Sequence, residues 1–307
     1  MTRPRGPIDA AEVQRSARTP TVLALLVLGL PTLGCAQLFD WLAGDTDDDA
    51  VYDGSRCKLD GGRIHCSHHS DTLWTGLTGV TPRIVHWQVP VGEAPAEGWP
   101  VVLLFQGSLF SADTFWDADD DDAFGGFEQA LLTKALLDQG FAVVAPEARL
   151  AGSGAWETNI PPMANNWSSS GDDAYMRDIF AGINSGEFGR CDGARLYAAG
   201  ISSGGTMTSR MDLAYRSRFR ALAIQSGSWA TCAGFACDVP TPQDPDHLPT
   251  LFLHGGEDTV VPIETMLDYY EALLAAGVEA ELIVDDGAGH EWIAEAPEAI
   301  PAWFAEH

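Results

Sequence analysis

Basic residues are scarce in this 307-residue chain: 17 lysines and arginines stand against 44 aspartates and glutamates, a formal net charge of −27 at pH 7. A field of that sign repels phosphate backbones and anionic membrane surfaces wherever salt leaves it unscreened, so nucleic acid is excluded as a partner. It selects less than it excludes, because an uncharged substrate tolerates it as well as a cationic one. Membrane-spanning length is missing as well. The apolar run near the N-terminus, Thr21 to Leu30, is too short to cross a bilayer well. No internal repeat is visible, and no linker interrupts the chain after residue 83. What is present is apolar material: 46% of the residues are hydrophobic, enough for a sizeable core.

Arg3, Arg5, Arg15 and Arg18 precede that apolar run, and the small residues Gly34-Cys35-Ala36 follow it. This is the form of a targeting segment, expected over residues 1–36. Two processing routes fit: cleavage after Ala36, or lipid attachment at Cys35, where Thr32-Leu33-Gly34-Cys35 resembles a bacterial lipobox with Thr32 in place of the usual Leu. An acidic linker is expected over residues 37–50, since Gly44 to Asp49 is a solvated stretch suited to a tether. The implied location is the bacterial cell envelope, secreted or as an outer-membrane lipoprotein, with a lipid on Cys35 as the one route of membrane attachment.

Export permits disulfides. Cys57 and Cys66 flank a short loop containing Gly61-Gly62 and read as a hairpin staple. Cys191, Cys232 and Cys237 leave one pair and one thiol, with Cys232 to Cys237 the favoured pair. A metal site at Cys66 with His65, His68 and His69 is the alternative to the staple, but the spacing from Cys57 is not that of a zinc finger, and no resident metal is expected.

From about Arg83 onward, short aliphatic runs alternate with longer helical patterns, the sequence form of a mostly parallel sheet with helices on both faces. The class is α/β. Strands are expected at Ile84–Val89, Val101–Phe105, Phe141–Ala145, Leu196–Ala199, Ala221–Gln225, Thr250–His254 and Glu281–Val284. Helices are expected at Phe127–Gln139, Asp172–Ile183, Gly205–Tyr215, Pro262–Ala276 and Ile300–Glu306, the last with Pro301 in its first turn. One catalytic domain therefore occupies 51–307, opening with a small cysteine-bearing extension.

Gly200-Ile201-Ser202-Ser203-Gly204 falls between an expected strand and an expected helix, the context of a nucleophile elbow. Side chains at Gly200 or Gly204 would collide with neighbouring elements, and Ser202 is forced into a strained, outward-pointing position. A serine hydroxyl needs a base to take its proton and a third group to hold that base in one tautomer. Asp258 and His290 supply both in the chain order Ser, Asp, His, each just past a strand. Glu257, Asp285 and Asp286 are the competing acids. His254, closing a buried strand, reads as structural rather than as the base. Oxyanion donors are expected from the backbone N–H groups of Ser203 and Ser108, with Gly107 as the alternative to Ser108.

Taken together, these residues resemble the secreted esterase family of the α/β-hydrolase superfamily that includes polyhydroxybutyrate depolymerases, feruloyl esterases and acetyl xylan esterases. The similarity runs from about Ile84 to the C-terminus. It is carried by Gly200 to Thr208, by Gly289-His290-Glu291-Trp292 and by Gly171-Asp172-Asp173 opening a helix. Leu104 to Phe115 aligns with the family's oxyanion loop, although Gln106 and Ser108 replace its usual His and Cys. The resemblance implies an α/β-hydrolase fold and hydrolysis of a small or polymeric carboxylic ester through an acyl-enzyme, without a cofactor. The alternatives are a serine peptidase of the same fold and a noncatalytic binding or adhesion lipoprotein. Gln106, Trp229 and Trp292 are the expected substrate-contacting residues, with Trp116 and Trp167 on the same side. Asp117 to Asp122 echoes a calcium loop but has Asp122 where such loops need Gly, and reads as a solvated acidic insertion.

Overall fold

A computed structural model describes residues 48–75, 81–148, 154–160, 163–232 and 237–307. The targeting segment expected over 1–36, with Cys35, and all but the last three residues of the 37–50 linker lie outside the described residues. Everything described belongs to the unit Asp47–His307. Among the described residues, no helix is long and apolar enough to cross a membrane.

Among the described residues, eleven strands follow in chain order: β1 (Cys57–Asp60), β2 (Arg63–Cys66), β3 (His69–Thr75), β4 (Thr81–Gln88), β5 (Trp99–Phe105), β6 (Asp117–Asp119), β7 (Ala142–Pro146), β8 (Cys191–Ile201), β9 (Phe219–Gln225), β10 (Thr250–Gly255) and β11 (Ala280–Asp285). Eight form one sheet in the order β11-β10-β9-β8-β5-β7-β4-β3. From β11 to β7 every pairing is parallel, while β4 joins β7 and β3 joins β4 antiparallel. The central strands are apolar on both faces because helices cover both. Alternation along β5 makes this explicit. Val102 and Leu104 enter the core under α1 (Gly126–Asp138) and α5 (Ala296–Glu306), whereas Val101, Leu103 and Phe105 enter the core under α2 (Gly171–Ser185) and α3 (Ser203–Tyr215). A third core lies between β9, β10 and α4 (Ile263–Ala276).

Local chemistry sets the helix ends. Ser170 caps α2 by accepting the Asp173 N–H at 2.9 Å, and Asp172 and Asp173 sit in the positive first turn. Helix α5 begins at Ala296, four residues before its expected start, because Pro297 rather than Pro301 occupies the first turn. Pro301 thus lies inside the helix, which Ile300, Trp303 and Phe304 hold by packing into the core. Strand β8 extends back to Cys191, since its polar first half pairs with the start of β5 at Trp99.

Cys57 and Cys66 are bonded across the β1–β2 hairpin, and Cys232 is bonded to Cys237. Cys191 is a free thiol whose ionisation burial pushes up to about 12, so it is inert at neutral pH. The acidic stretch expected as a solvated insertion instead supplies a strand. Asp117 and Asp119 face Arg63, at 2.7 and 3.9 Å, and Ala118 turns inward, so β6 completes a small antiparallel sheet with β2 and β1.

Candidate active site

Strand β8 ends at Ile201, and the chain reverses into α3 through Ser202, whose φ of 58° lies in the left-handed region. That conformation is costly for any residue but glycine and persists only where its surroundings impose it. Here the Ser202 N–H donates to the Gln225 carbonyl at 3.0 Å, and the Thr206 N–H donates to the Ser202 carbonyl at 3.0 Å. The elbow also needs its glycines. A Cβ on Gly200 would come 2.5 Å from the Gly204 oxygen, and one on Gly204 would come 2.6 Å from the Gln106 oxygen.

Asp258 lies in the turn after β10, and His290 in the turn after β11. Their side chains meet: His290 Nδ1 is 2.7 Å from Asp258 Oδ2. The other carboxylate oxygen accepts the N–H groups of Val260 at 2.8 Å and Val261 at 2.9 Å, and His254 Nε2 approaches Oδ2 at 3.3 Å. Burial alone would raise the ionisation of Asp258, but hydrogen bonds from His254, His290 and the Val261 N–H outweigh it and hold the carboxyl well below the usual range. An ionised Asp258 fixes the proton on His290 Nδ1 and leaves Nε2 as the basic nitrogen. The competing acids lie elsewhere. Glu257 is exposed, and Asp285 Oδ1 accepts the Gly287 N–H at 2.9 Å. His254 is held under the acid loop, with Nε2 also 2.9 Å from the Val261 carbonyl.

Ser202 and His290 open together into a cavity of about 560 Å³. Its walls are mostly apolar: Leu109, Phe110, Ala118, Phe124, Ile201 and Val260. Leu109, Val260 and Phe124 are large hydrophobic side chains left 72, 54 and 46% exposed, so they form an apolar rim. Of the five non-glycine residues with positive φ among the described residues, Leu109, Phe124 and Ser202 all line this cavity. Backbone strain is concentrated where a site is built.

Of the expected oxyanion positions, Ser108 lines the cavity, whereas Ser203 is buried directly behind Ser202. Ser203 is the first residue of α3, where the N–H has no partner within the helix, and Gly107 and Ser108 line the cavity beside Ser202. Two buried groups brace this loop. The Trp156 indole donates to the Gln106 carbonyl at 3.0 Å, while the Trp156 backbone N–H donates to Ser203 Oγ at 3.0 Å. Glu147, buried at the end of β7, accepts from Gln106 Nε2 at 3.1 Å, from the Ala112 N–H at 2.8 Å and from the Ser111 hydroxyl.

Gln106, Trp229 and Trp292 do not line the cavity, contrary to expectation. Gln106 is fully buried and anchors the oxyanion loop on Glu147. Trp229 packs its ring edge-on to Tyr269 at 5.1 Å in the core under α4. Trp292 donates to Gln129 Oε1 at 2.8 Å, and Gln129 is the residue that reaches the cavity wall. Trp116 and Trp167 are likewise buried. Leu109, Phe110, Phe124, Gln129, Trp156 and Val260 were missed by sequence reasoning. Apolar residues in loops flanked by the motif positions were the only available signal for four of them.

A strained serine at a strand-to-helix turn, a carboxylate-held imidazole and a mostly parallel sheet define a hydrolase of the α/β-hydrolase superfamily. The dienelactone hydrolase family model matches residues 121–305, and the chain belongs to that family. A poly(3-hydroxyoctanoate) depolymerase of Pseudomonas fluorescens is 44% identical over 252 residues, 82% of this chain and 89% of that protein. A ferulic acid esterase structure matches with a TM-score of 0.53 at 15% identity, over 78% of this chain and 93% of that one. Pyrococcus horikoshii acylaminoacyl peptidase matches at 0.51 and 13% identity, over 77% and 40%. These two structural likenesses establish the fold alone. Family and relative together make the chain a carboxylic-ester hydrolase.

Proposed function

We propose that this protein is an exported serine esterase that cleaves an aliphatic polyester with medium-length side chains, of the poly(3-hydroxyoctanoate) kind. The observation that carries the reading is the apolar cavity onto which Ser202 and His290 open, with His290 bonded to Asp258 at 2.7 Å. Ser202 Oγ attacks the ester carbonyl while His290 Nε2 takes its proton, and Asp258 stabilises the imidazolium that results. The N–H groups of Ser203 and Ser108 receive the oxyanion. His290 then protonates the leaving alkoxide, and a water activated by the same imidazole releases the acid from Ser202. An alkyl side chain of the monomer is buried against Phe110, Ala118 and Ile201, while the rim of Leu109, Phe124 and Val260 meets the insoluble polymer surface. The two disulfides suit an oxidising compartment.

A fluorophosphonate probe should label the wild type and not Ser202→Ala. A panel of poly(3-hydroxyoctanoate), poly(3-hydroxybutyrate), methyl ferulate, acetyl xylan and a peptide amide then separates substrates, with the first turned over fastest. An unlabelled folded protein would defeat the enzyme mechanism. Preference for ferulate, xylan or peptide would defeat the polyester reading while leaving Ser202 in place.

A further inference from the structure

Away from the catalytic residues, the segment after the small N-terminal sheet, strand β4 of the large sheet and the turn Ala112–Phe115 bring together three side chains that hydrolysis does not use. His68 follows β2, His86 lies on β4, and Asp113 lies in the turn Ala112–Phe115 beyond the oxyanion loop; one ligand atom from each falls within 4.8 Å of the others. Their orientation is that of ligands. His68 Nδ1 faces the Cys66 carbonyl at 3.2 Å, which fixes the proton there and leaves the Nε2 lone pair free. His86 Nδ1 meets Ser70 Oγ at 2.8 Å, a hydroxyl that can accept the ring proton and so leave Nε2 for an ion.

His68 Nε2 stands 3.5 Å from Asp113 Oδ1. That is long for a charged hydrogen bond, which closes to about 2.7–2.9 Å, and close to the roughly 3.4 Å edge between two ligands about 2.0–2.1 Å from a tetrahedral zinc ion. The surroundings fit as well. The Trp116 ring stacks on His68 at 4.8 Å, and His86 is only 6% exposed, whereas Asp113 is open to solvent and gives a way in. Glu147 Oε1, 3.5 Å from His86 Nε2, adds negative charge while its own bonds go to the oxyanion loop. Neighbouring candidates are otherwise occupied: Cys66 is bonded to Cys57, His65 pairs with Asp117 at 2.9 Å, and the His69 ring stacks on Trp87 at 4.2 Å.

We propose that His68, His86 and Asp113 hold a divalent transition-metal ion, Zn²⁺ by preference, with water completing the coordination. Two imidazoles and a carboxylate suit zinc better than the all-oxygen shells of calcium or magnesium. The ion ties the turn after the oxyanion loop to strand β4. Glu147 already holds the loop at Gln106 and at Ala112, and the metal would add a tie one residue further on, at Asp113, so its role is structural.

The test uses the full chain, stripped with a chelator and dialysed, then titrated with Zn²⁺ by calorimetry and with Co²⁺ by visible absorption. One ion per chain is expected, with the absorption bands of low-symmetry Co²⁺ and a Tm rise of roughly 5 °C at about a hundredfold excess over Kd. Asp113→Asn, on an exposed turn, and His68→Gln should each weaken Zn²⁺ binding more than about tenfold, while His69→Ala binds as the wild type does. Absence of Zn²⁺ uptake by the stripped chain, or wild-type affinity in both Asp113→Asn and His68→Gln, overturns the proposal.

Discussion

Replacing His254 separates two roles that an imidazole beside Asp258 can play. His254 Nε2 lies 3.3 Å from Asp258 Oδ2 and 2.9 Å from the Val261 carbonyl, while its Nδ1 is buried with no hydrogen-bond partner. His254→Phe keeps an aromatic ring but removes the donor to both acceptors. Leaving the Val261 carbonyl unsatisfied and weakening the carboxylate's support costs about 2–4 kcal/mol together. For a domain of this size that is a Tm loss of roughly 5–10 °C. Asp258 keeps His290 and two backbone N–H groups, so its ionisation rises only partway toward the ordinary value and hydrolysis of a soluble p-nitrophenyl ester should fall no more than about tenfold. His254→Gln, whose amide can still donate, should recover most of both losses. His290→Ala, by contrast, should cost about 10³ or more in kcat. If folded His254→Phe loses as much activity as His290→Ala, the base has been misassigned and the acid loop must be reread around His254.

Asp258→Asn should lower kcat about 10⁴-fold, because an amide no longer fixes the proton on His290 Nδ1. The folded carboxyl ionises below its unfolded value of about 3.9, so its contribution to stability is present above that pH and is lost as pH falls. The stability gap between wild type and Asp258→Asn should therefore shrink in denaturant titrations from about pH 5 downward. Gly204→Ala places a methyl group against the Phe105 and Gln106 carbonyls and should yield insoluble or inactive protein on expression. Arg83→Met strands the fully buried Asp172, now 3.0 Å from the guanidinium, and should cost about 3–5 kcal/mol by urea denaturation, with Asp172→Asn added in the same chain restoring part of it. Phe124→Ser should slow polymer clearing on plates more than it slows hydrolysis of p-nitrophenyl acetate, since Phe124 belongs to the exposed apolar rim that would meet a polymer surface.

The nucleophile elbow was legible because its chemistry is local. A continuous apolar run predicts the buried strand before Ser202, and the two glycines are required by contacts that follow from the turn itself. Asp258 and His290 were legible for a related reason: each sits at a fixed place after a strand, and strand order then brings them together. The cavity wall obeys different physics. Leu109 and Phe124 adopt positive φ without being glycine, so no residue preference announces the bends that aim them at the cavity. The carbonyl of Phe124 accepts the Trp292 N–H at 3.1 Å, a contact between segments far apart in the chain. That contact turns the expected relation around. Trp292 is close to His290 in sequence but faces the core, and it positions Phe124 and Gln129, which face the substrate side. Likewise Asp117-Ala118-Asp119 looks solvated by charge, yet its alternation sends only Ala118 inward, where the strand pairing with β2 puts it on the cavity wall. The candidate catalytic residues follow from motif spacing, whereas the residues that line the cavity depend on how distant loops support one another. Under the proposed polyester reading, chain-length preference should therefore respond to changes at Trp292 as well as at wall residues such as Gln129, even though Trp292 does not line the cavity.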